Sequence, residues 1–378
     1  VKIAFIAWNS FQVLHFKPLL KALPHATLII EKKKKSVVIG QSILQDINNN
    51  IAYVKQSQLH EKIDGVFDVI VTQTVFEQLY LFKHTKIAML QYGYAKEPHN
   101  YGAWRSLADL NLVYGPYAYH KISYFSPTEI VGCPRYDSWY LPEFHQKAKE
   151  NYQDILDPLK KTILYAPSWG ELSSFSLYID ELAKLATAYN VIVKLHHNTV
   201  IFSDKITHYE KTYPSLHFFY EKEDLLSLMS VSDMVISDYS GAIFDAVFCK
   251  KPLVLLSIPN IQNEKLDQFS LEITHRDRLG IEVLHPSKLV TTVGKAFLEK
   301  KYADKELYNK LYYDTQCATK QAIRCLENLI SGIYCLSQQQ LYVRHTVKEL
   351  YIEKMLHKKA KKGKLQYIKR ISKKYFHN

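Results

Sequence analysis

Residues 231–256, VSDMVISDYSGAIFDAVFCKKPLVLL, leave the backbone few choices. An apolar run, Met234–Ile236, stops at Ser237-Asp238-Tyr239-Ser240-Gly241. A helix-like pattern follows from about Ala242 to Cys249, and Lys250-Lys251-Pro252 leads into a second apolar run, Leu253–Leu256. That order is strand, polar turn, short helix, strand: a βαβ unit. Backbone N–H groups and the positive end of the helix dipole meet in such a turn and favour an anion, most often phosphate. Ser237, Asp238 and Ser240 would serve equally well as helix caps. The segment alone does not separate the two readings.

The rest of the chain repeats the alternation of short apolar runs with amphipathic stretches, the sign of a parallel α/β protein. In the first half the runs predict strands at Ile3–Ala7, Thr27–Ile30, Ser36–Ile39, Val66–Thr72, Ile87–Leu90, Leu112–Tyr114 and Glu129–Val131. Phe16–Leu23 and Phe76–Leu81 read as helix. In the second half strands are expected at Thr162–Ala166, Val191–Leu195, Leu216–Phe219, Met234–Ile236 and Leu253–Leu256, with helices at Ser176–Tyr189 and Lys222–Val231. Ala303 to about Ile333 also reads as helix. At 378 residues the chain suits two domains of about 150 residues each. The break falls near Tyr140–Lys160, where Pro142 and Pro158 flank the charged stretch Phe144–Leu156. The expected division is 1–145, 146–335 and a basic tail, 336–378. Two such units imply a ligand cleft between them, at the carboxyl ends of the strands.

Charge separates the tail from the body. Lys354–Asn378 holds ten Lys/Arg and no acid, so the other 353 residues carry 39 bases against 37 acids. A near-neutral body with a cationic end does not describe a nucleic-acid-binding domain, and no motif of that class is present. No apolar run approaches the roughly 18 residues of a membrane span. VKIAFIAWNSF at the start reads as a first strand rather than a signal peptide. Five cysteines, Cys133, Cys249, Cys317, Cys325 and Cys335, lack metal-ligand spacing and read as reduced thiols.

Four polar clusters sit just after expected strands. Gly132-Cys133-Pro134-Arg135-Tyr136-Asp137 follows Glu129–Val131, and Pro167-Ser168-Trp169-Gly170-Glu171 follows Thr162–Ala166. His196-His197-Asn198-Thr199 follows Val191–Leu195, and the Ser237–Gly241 turn follows Met234–Ile236. The succession YAPSW, VKLHHNT, ISDYSGAIFDAVFCKKPLVLL resembles the CDP-glycerol glycerophosphotransferases of teichoic-acid and capsule synthesis. That family reads YAPTW, then RPHP, then SDYSS with an acid shortly after and KKP. GCPRYD is similar to its GxPRND segment. The resemblance covers residues 129–256, is weak over 1–125 and is absent from the tail.

What the resemblance implies is specific. The fold would be GT-B, two Rossmann-like domains facing a central cleft, with a C-terminal helical segment and the nucleotide donor held by the second domain. A polyol phosphate would pass from a CDP-linked donor to a hydroxyl of a cell-surface glycan or lipid-linked acceptor, releasing CMP. His196 takes the place of the RPHP histidine, with Lys194 where the family has arginine; lysine keeps the charge and loses the bidentate fork. Ser237, Ser240 and the Gly241–Ala242 backbone would hold the pyrophosphate. Asp238 suits ordering the turn better than touching phosphate, since two anions repel. Asp245 is expected either on ribose hydroxyls or as a first-turn acid favoured by the dipole. Ser168 and Trp169 would border the nucleotide, Trp169 packing between domains being the alternative. His197 replaces the family's proline, and its role stays open.

The general base is the departure. Where the family has a HGTPLK-like loop with an important histidine, this chain has Gln91-Tyr92-Gly93-Tyr94-Ala95-Lys96. A tyrosine with an ordinary pKa near ~10 is a poor base at neutral pH. His15, which opens the first helix, and His99, in a polar loop, are the substitutes. Each has an ordinary alternative as a surface or capping histidine. No acidic cluster demands a structural metal; Mg²⁺ bridging donor phosphates is compatible with this site. The tail has three readings: a solvated, partly disordered segment, an anchor on an anionic membrane surface, or a nucleic-acid contact. The membrane reading places the protein in the cytoplasm, peripheral to the inner face of the cell membrane. Two other functions stay open: a GT-B glycosyltransferase using a CMP- or UDP-sugar in capsule or lipopolysaccharide synthesis, and a catalytically silent scaffold.

Overall fold

The computed structural model describes residues 1–32, 39–196, 199, 206–220, 223–258 and 267–375. Strands β1 Ile3–Ala7, β2 Thr27–Lys32, β3 Asn50–Lys55, β4 Val69–Thr72, β5 Lys86–Leu90, β6 Leu110–Val113 and β7 Thr128–Ile130 form one parallel sheet in the order β3-β2-β1-β4-β5-β6-β7. Strands β8 Thr162–Ala166, β9 Asn190–Lys194, β10 His217–Phe219, β11 Met234–Ser237, β12 Leu253–Leu256 and β13 Ile281–Val283 form a second, in the order β10-β9-β8-β11-β12-β13. Both are doubly wound. Chain direction across each sheet reverses between two central strands, β1 and β4 or β8 and β11, and the crevice opens at their carboxyl ends. This is the two-domain GT-B architecture.

Central strands are covered on both faces, so they read as unbroken apolar runs rather than alternations. Every residue of β1 and of β8 is buried. The edge strands β3 (Asn-Ile-Ala-Tyr-Val-Lys) and β13 (Ile-Glu-Val) interrupt their apolar residues with polar ones and escape the sequence reading. Of the expected strand Ser36–Ile39, residues 36–38 lie outside the described residues, and Ile39 is in no strand.

The first helix, α1, runs Ser10–Ala22, beginning six residues before the expected start. Asn9 caps it, its side chain accepting from Gln12 N at 2.9 Å, and the helix carries Pro18 in its interior. That extra turn and a half places His15 mid-helix, over the end of β1. Phe76–Leu81 is not a helix but a single 3₁₀ turn at Leu79–Leu81, entered through Gln78 at φ 73°. Residues 303–333 split into Lys305–Leu311 and Ala318–Ile330. Asp137 of the GCPRYD segment caps the second piece, accepting from Ala318 N at 3.0 Å and Thr319 N at 2.7 Å.

The C-terminal segment differs most from expectation. Gln338–Tyr375 is one helix, and its first half lies against the first domain. Arg344 donates to Ser106 O at 2.6 Å, to Asp109 Oδ1 at 2.7 Å and to Ala108 O. Val347 is buried there, and Tyr351 stacks on Tyr80 with ring centroids 5.5 Å apart. Residues 338–356 are therefore docked structure rather than a solvated tail.

Candidate active site

A cavity of about 510 Å³ lies between the carboxyl ends of the two sheets, lined from both domains. On the second-domain side it meets the loops after β8, β9 and β11, the positions singled out by the polar clusters. The turn after β11 is built around Asp238, which is fully buried. Its carboxylate accepts from Ser168 N at 2.7 Å, Ser174 N at 2.8 Å, Ser174 Oγ at 2.9 Å and Tyr239 N at 2.6 Å. Burial pushes the Asp238 pKa up, opposed by those hydrogen bonds. Asp238 orders the turn from beneath. Ser237 is equally buried and donates to Ala166 O at 2.7 Å, tying β11 to β8. Ser168 contributes its backbone N–H to Asp238 and is 2% exposed. Ser237 and Ser168, expected on the ligand, lie under the cavity wall with Asp238 because their polar atoms are used to hold two loops together.

Ser240 and Gly241 do reach the cavity. Ser240 Oγ accepts from Ala242 N at 3.3 Å, the capping role, at the start of the helix Ala242–Phe248. A Cβ on Gly241 would stand 3.9 Å from Ala95 of the first domain, so the two domains nearly touch across this turn. Lys194 and His196 line the same wall, and the Lys194 amine donates to Tyr220 O. Trp169 stacks on His196 with centroids 6.1 Å apart and planes at 22°. It faces the cavity and is 40% exposed rather than packed between domains. His197 lies outside the described residues.

Asp245 also lines the cavity, but within an ion cluster. Arg135, 3% exposed, donates from Nη1 to Asp245 Oδ1 at 3.2 Å and from Nη2 to Asp224 Oδ1 at 2.6 Å. Tyr136 Oη donates to the same Asp245 oxygen at 2.9 Å. Burial would lower the Arg135 pKa, yet Asp224 and Asp245 outweigh it and hold the guanidinium charged. Asp245 is raised by burial and pulled back by Arg135 and Tyr136. Its engaged oxygen makes it a partner of Arg135 first, whatever the ribose reading. Arg135 was visible only as part of GCPRYD; nothing in its neighbours signals that it spans two domains.

The first domain brings His15 to the cavity from α1. The ring is 2% exposed, with Nδ1 3.0 Å from both Gln73 Nε2 and Tyr114 Oη, and Nε2 3.5 Å from Arg135 Nη1. Burial, then the Arg135 charge, holds its pKa well below the usual imidazole value, so the ring is neutral at pH 7. Trp8, Phe11 and Tyr92 complete this wall. Burial pushes the Tyr92 phenol up to about 12, which removes it as a base. His99 is exposed and borders the cavity. Beside it, Lys96 sits at φ 57°, its N–H donating to Glu272 Oε1 of the second domain at 2.7 Å. Glu97 N donates to Ser270 Oγ at 2.8 Å, so this loop is latched to the other domain twice.

Among the described residues no group of three or more His, Cys, Asp or Glu is placed to hold a metal ion. Among the same residues no helix is long and apolar enough to cross a membrane.

Comparison with known proteins places this geometry. Residues 120–261 match the model of the family CDP-Glycerol:Poly(glycerophosphate) glycerophosphotransferase. The teichoic acid poly(glycerol phosphate) polymerase of Bacillus spizizenii is 32% identical over 113 residues, a match covering 27% of this chain and 27% of that protein. In fold, a variant of the wall teichoic acid polymerase TagF superposes with a TM-score of 0.66 over 88% of this chain and 89% of that one, at 16% identity. The UDP-GlcNAc 2-epimerase of Neisseria meningitidis superposes at 0.57 over 87% and 100%, at 14% identity. Motifs and matched span agree: residues 120–261, which carry GCPRYD, YAPSW and ISDYSG, are similar to the CDP-glycerol:poly(glycerophosphate) glycerophosphotransferase family.

Proposed function

We propose that the protein transfers glycerol phosphate, or a related polyol phosphate, from a CDP-activated donor to an acceptor hydroxyl. One observation carries this: the loops at both sheet reversals, one from each domain, open into a single cavity that holds His15, Arg135, His196 and the Ser240–Gly241 turn. The donor would lie on the second-domain wall, its nucleotide beside Trp169 and His196 and its pyrophosphate over Ser240 and Gly241. The acceptor would enter over Trp8, Phe11 and Tyr92, with His99 at the rim. The acceptor oxygen attacks the β-phosphorus, the bond from that phosphorus to the bridging oxygen breaks, and CMP leaves. Fixed donors around the transferring group supply the electrostatic stabilisation such a reaction needs. A TagF variant of the same architecture was soaked with CDPG, which supports a CDP-glycerol donor for this fold.

The acceptor would be a hydroxyl of a cell-surface glycan or a lipid-linked precursor, met at the cytoplasmic membrane face. Leu341, Ile352 and Leu356 of the last helix, 51%, 41% and 56% exposed, fall on one outward face. They adjoin the run of ten Lys/Arg that begins at Lys354, a combination suited to anionic headgroups. Incubation with CDP-glycerol and an undecorated glycan acceptor should release CMP; no release overturns the proposal.

A second reading, a glycosyltransferase using a CMP- or UDP-sugar, is favoured by the unreactive phenol of Tyr92 where the family has a histidine. A thermal-shift panel of CDP-glycerol, CDP-ribitol, CMP-sugars and UDP-sugars separates the two, since the true donor adds apparent stability by mass action.

A further inference from the structure

Lys96, Arg135 and Lys194 line the cavity, and two of these side chains are engaged by the protein itself. Arg135 is held by Asp224 and Asp245, and the Lys194 amine donates to Tyr220 O. The Lys96 amine has no hydrogen-bond or ion-pair partner among the described residues. Glu272 and Asp238 are the acids whose charges it feels, yet neither pairs with it. Glu272 Oε1 takes the Lys96 backbone N–H, and Asp238 is filled by Ser168, Ser174 and Tyr239. Glu97, the next residue, accepts from Tyr117 Oη and pairs with Lys121 Nζ at 3.1 Å. Burial lowers the Lys96 pKa and the two acids oppose that shift; an anion in the cavity would oppose it further.

The backbone fixes where this side chain starts. Lys96 lies at φ 57°, a left-handed conformation that is unfavourable for a residue with a Cβ and persists only where its surroundings impose it. Here they do: Lys96 N donates to Glu272 Oε1 at 2.7 Å, Glu97 N to Ser270 Oγ at 2.8 Å, and Asn100 Nδ2 to Ala95 O at 2.5 Å. Each of these bonds uses a main-chain atom of the loop, so none of them needs the Lys96 side chain. Ala95 stands 3.9 Å from the place of a Cβ on Gly241, which brings Lys96 out one residue from the Ser240–Gly241 turn. We infer that Lys96, although it belongs to the first domain, is a donor-binding residue whose ammonium takes the non-bridging oxygens of the β-phosphate of a nucleoside diphosphate. With the nucleotide beside Trp169 and His196 on the second-domain wall, the phosphate farther from the nucleoside is the one nearest the first domain. That phosphate is the group transferred. No bond is made or broken at Lys96; it acts as a point charge on the group in transit. The inference rests on the proposed placement of the donor, but its central observable, discrimination between one phosphate and two, is measured without turnover.

The test is calorimetric titration of the full chain with CDP and CMP, and in parallel with UDP and UMP. Lys96→Met removes the charge and keeps the backbone bonds of the loop, so its melting temperature should match that of the wild type. Its affinity for CDP should fall by about 10-fold or more, the share of one charge-assisted hydrogen bond, while its affinity for CMP changes by less than about 3-fold. Lys96→Arg keeps the charge and should recover most of the loss. Equal weakening of CDP and CMP, or undiminished CDP binding, overturns the inference, and a lowered melting temperature with parallel losses assigns Lys96 to the domain latch instead. A wild type that prefers neither diphosphate over its monophosphate overturns it as well. Preference for UDP over UMP alone removes the cytidine donor, and the uridine pair then decides the role of Lys96. Absence of CMP release removes the transferase reading and leaves the titrations to judge Lys96 independently.

Discussion

Arg135 and Asp224 meet at 2.6 Å across the boundary between the two domains. Asp224 also caps the helix Leu225–Ser230, accepting from Leu226 N at 3.1 Å. The same guanidinium reaches Asp245, and its Nη1 is 3.5 Å from His15. One buried cation therefore sets the spacing between the first-domain and second-domain halves of the cavity.

Removing that cation leaves two carboxylates facing each other in a buried site. Arg135→Ala should destabilise the fold by about 3–5 kcal/mol, the usual effect of breaking a buried pair from one side. Arg135→Lys keeps the charge but cannot fork between two acids, and should fall between the two. Urea denaturation of all three proteins checks the order.

Asp238 and Ser237 should behave very differently although both are fully buried neighbours. Asp238→Ala strands the backbone N–H groups of Ser168, Ser174 and Tyr239, and a loss of about 3 kcal/mol or more is expected. Ser237→Ala removes one neutral bond to Ala166 O, worth about 1 kcal/mol. A stability difference below about 1 kcal/mol between the variants would remove Asp238 from the role of turn organiser.

Burial pushes the Glu272 carboxyl from 4.5 up to about 7, the Lys96 N–H bond opposing the shift. The folded protein then holds a proton that the unfolded chain has lost between those values. Stability contributed by the protonated form is full below about 4.5 and is lost as the pH rises through 7. Glu272→Gln retains an acceptor for Lys96 N and has nothing to deprotonate. At pH 8 it should be more stable than the wild type by on the order of 1–3 kcal/mol, with the difference vanishing near pH 5. Thermal melts across that range are the measurement.

Gly115 is required for space, since its backbone is extended. A Cβ there would stand 2.1 Å from Leu311 O, where the helix Lys305–Leu311 crosses back to the first domain. Tyr94 Oη donates to the same carbonyl. Gly115→Ala should therefore force the two chains apart at about 1–3 kcal/mol, read as a lowered melting temperature.

Legibility in the sequence followed burial. Strands β8, β11 and β12 are covered on both faces and were plain as apolar runs, and the polar loops after them do reach one cavity. Edge strands β3 and β13 carry no such run. Among the site residues, Ser240, Gly241 and His196 line the cavity, whereas Ser237 and Ser168 face inward. Hydroxyls after a strand bind ligands and brace loops with the same chemistry, so residue type alone does not tell which. Arg135 and Gln73 act through long-range partners, and no local pattern announces a contact 110 or 58 residues away. The expected similarity to teichoic-acid enzymes, carried by YAPSW and ISDYSG, is the reading that the family match upholds.

The last helix has a mechanical implication. At 1.5 Å per residue its 38 residues make a strut of about 57 Å, clamped near one end by Arg344 to the first domain. Whatever grips the distal, lysine-rich end would thereby fix the heading of the acceptor half, and the nucleotide-side half would be carried with it through Arg135 and the Lys96–Glu97 loop.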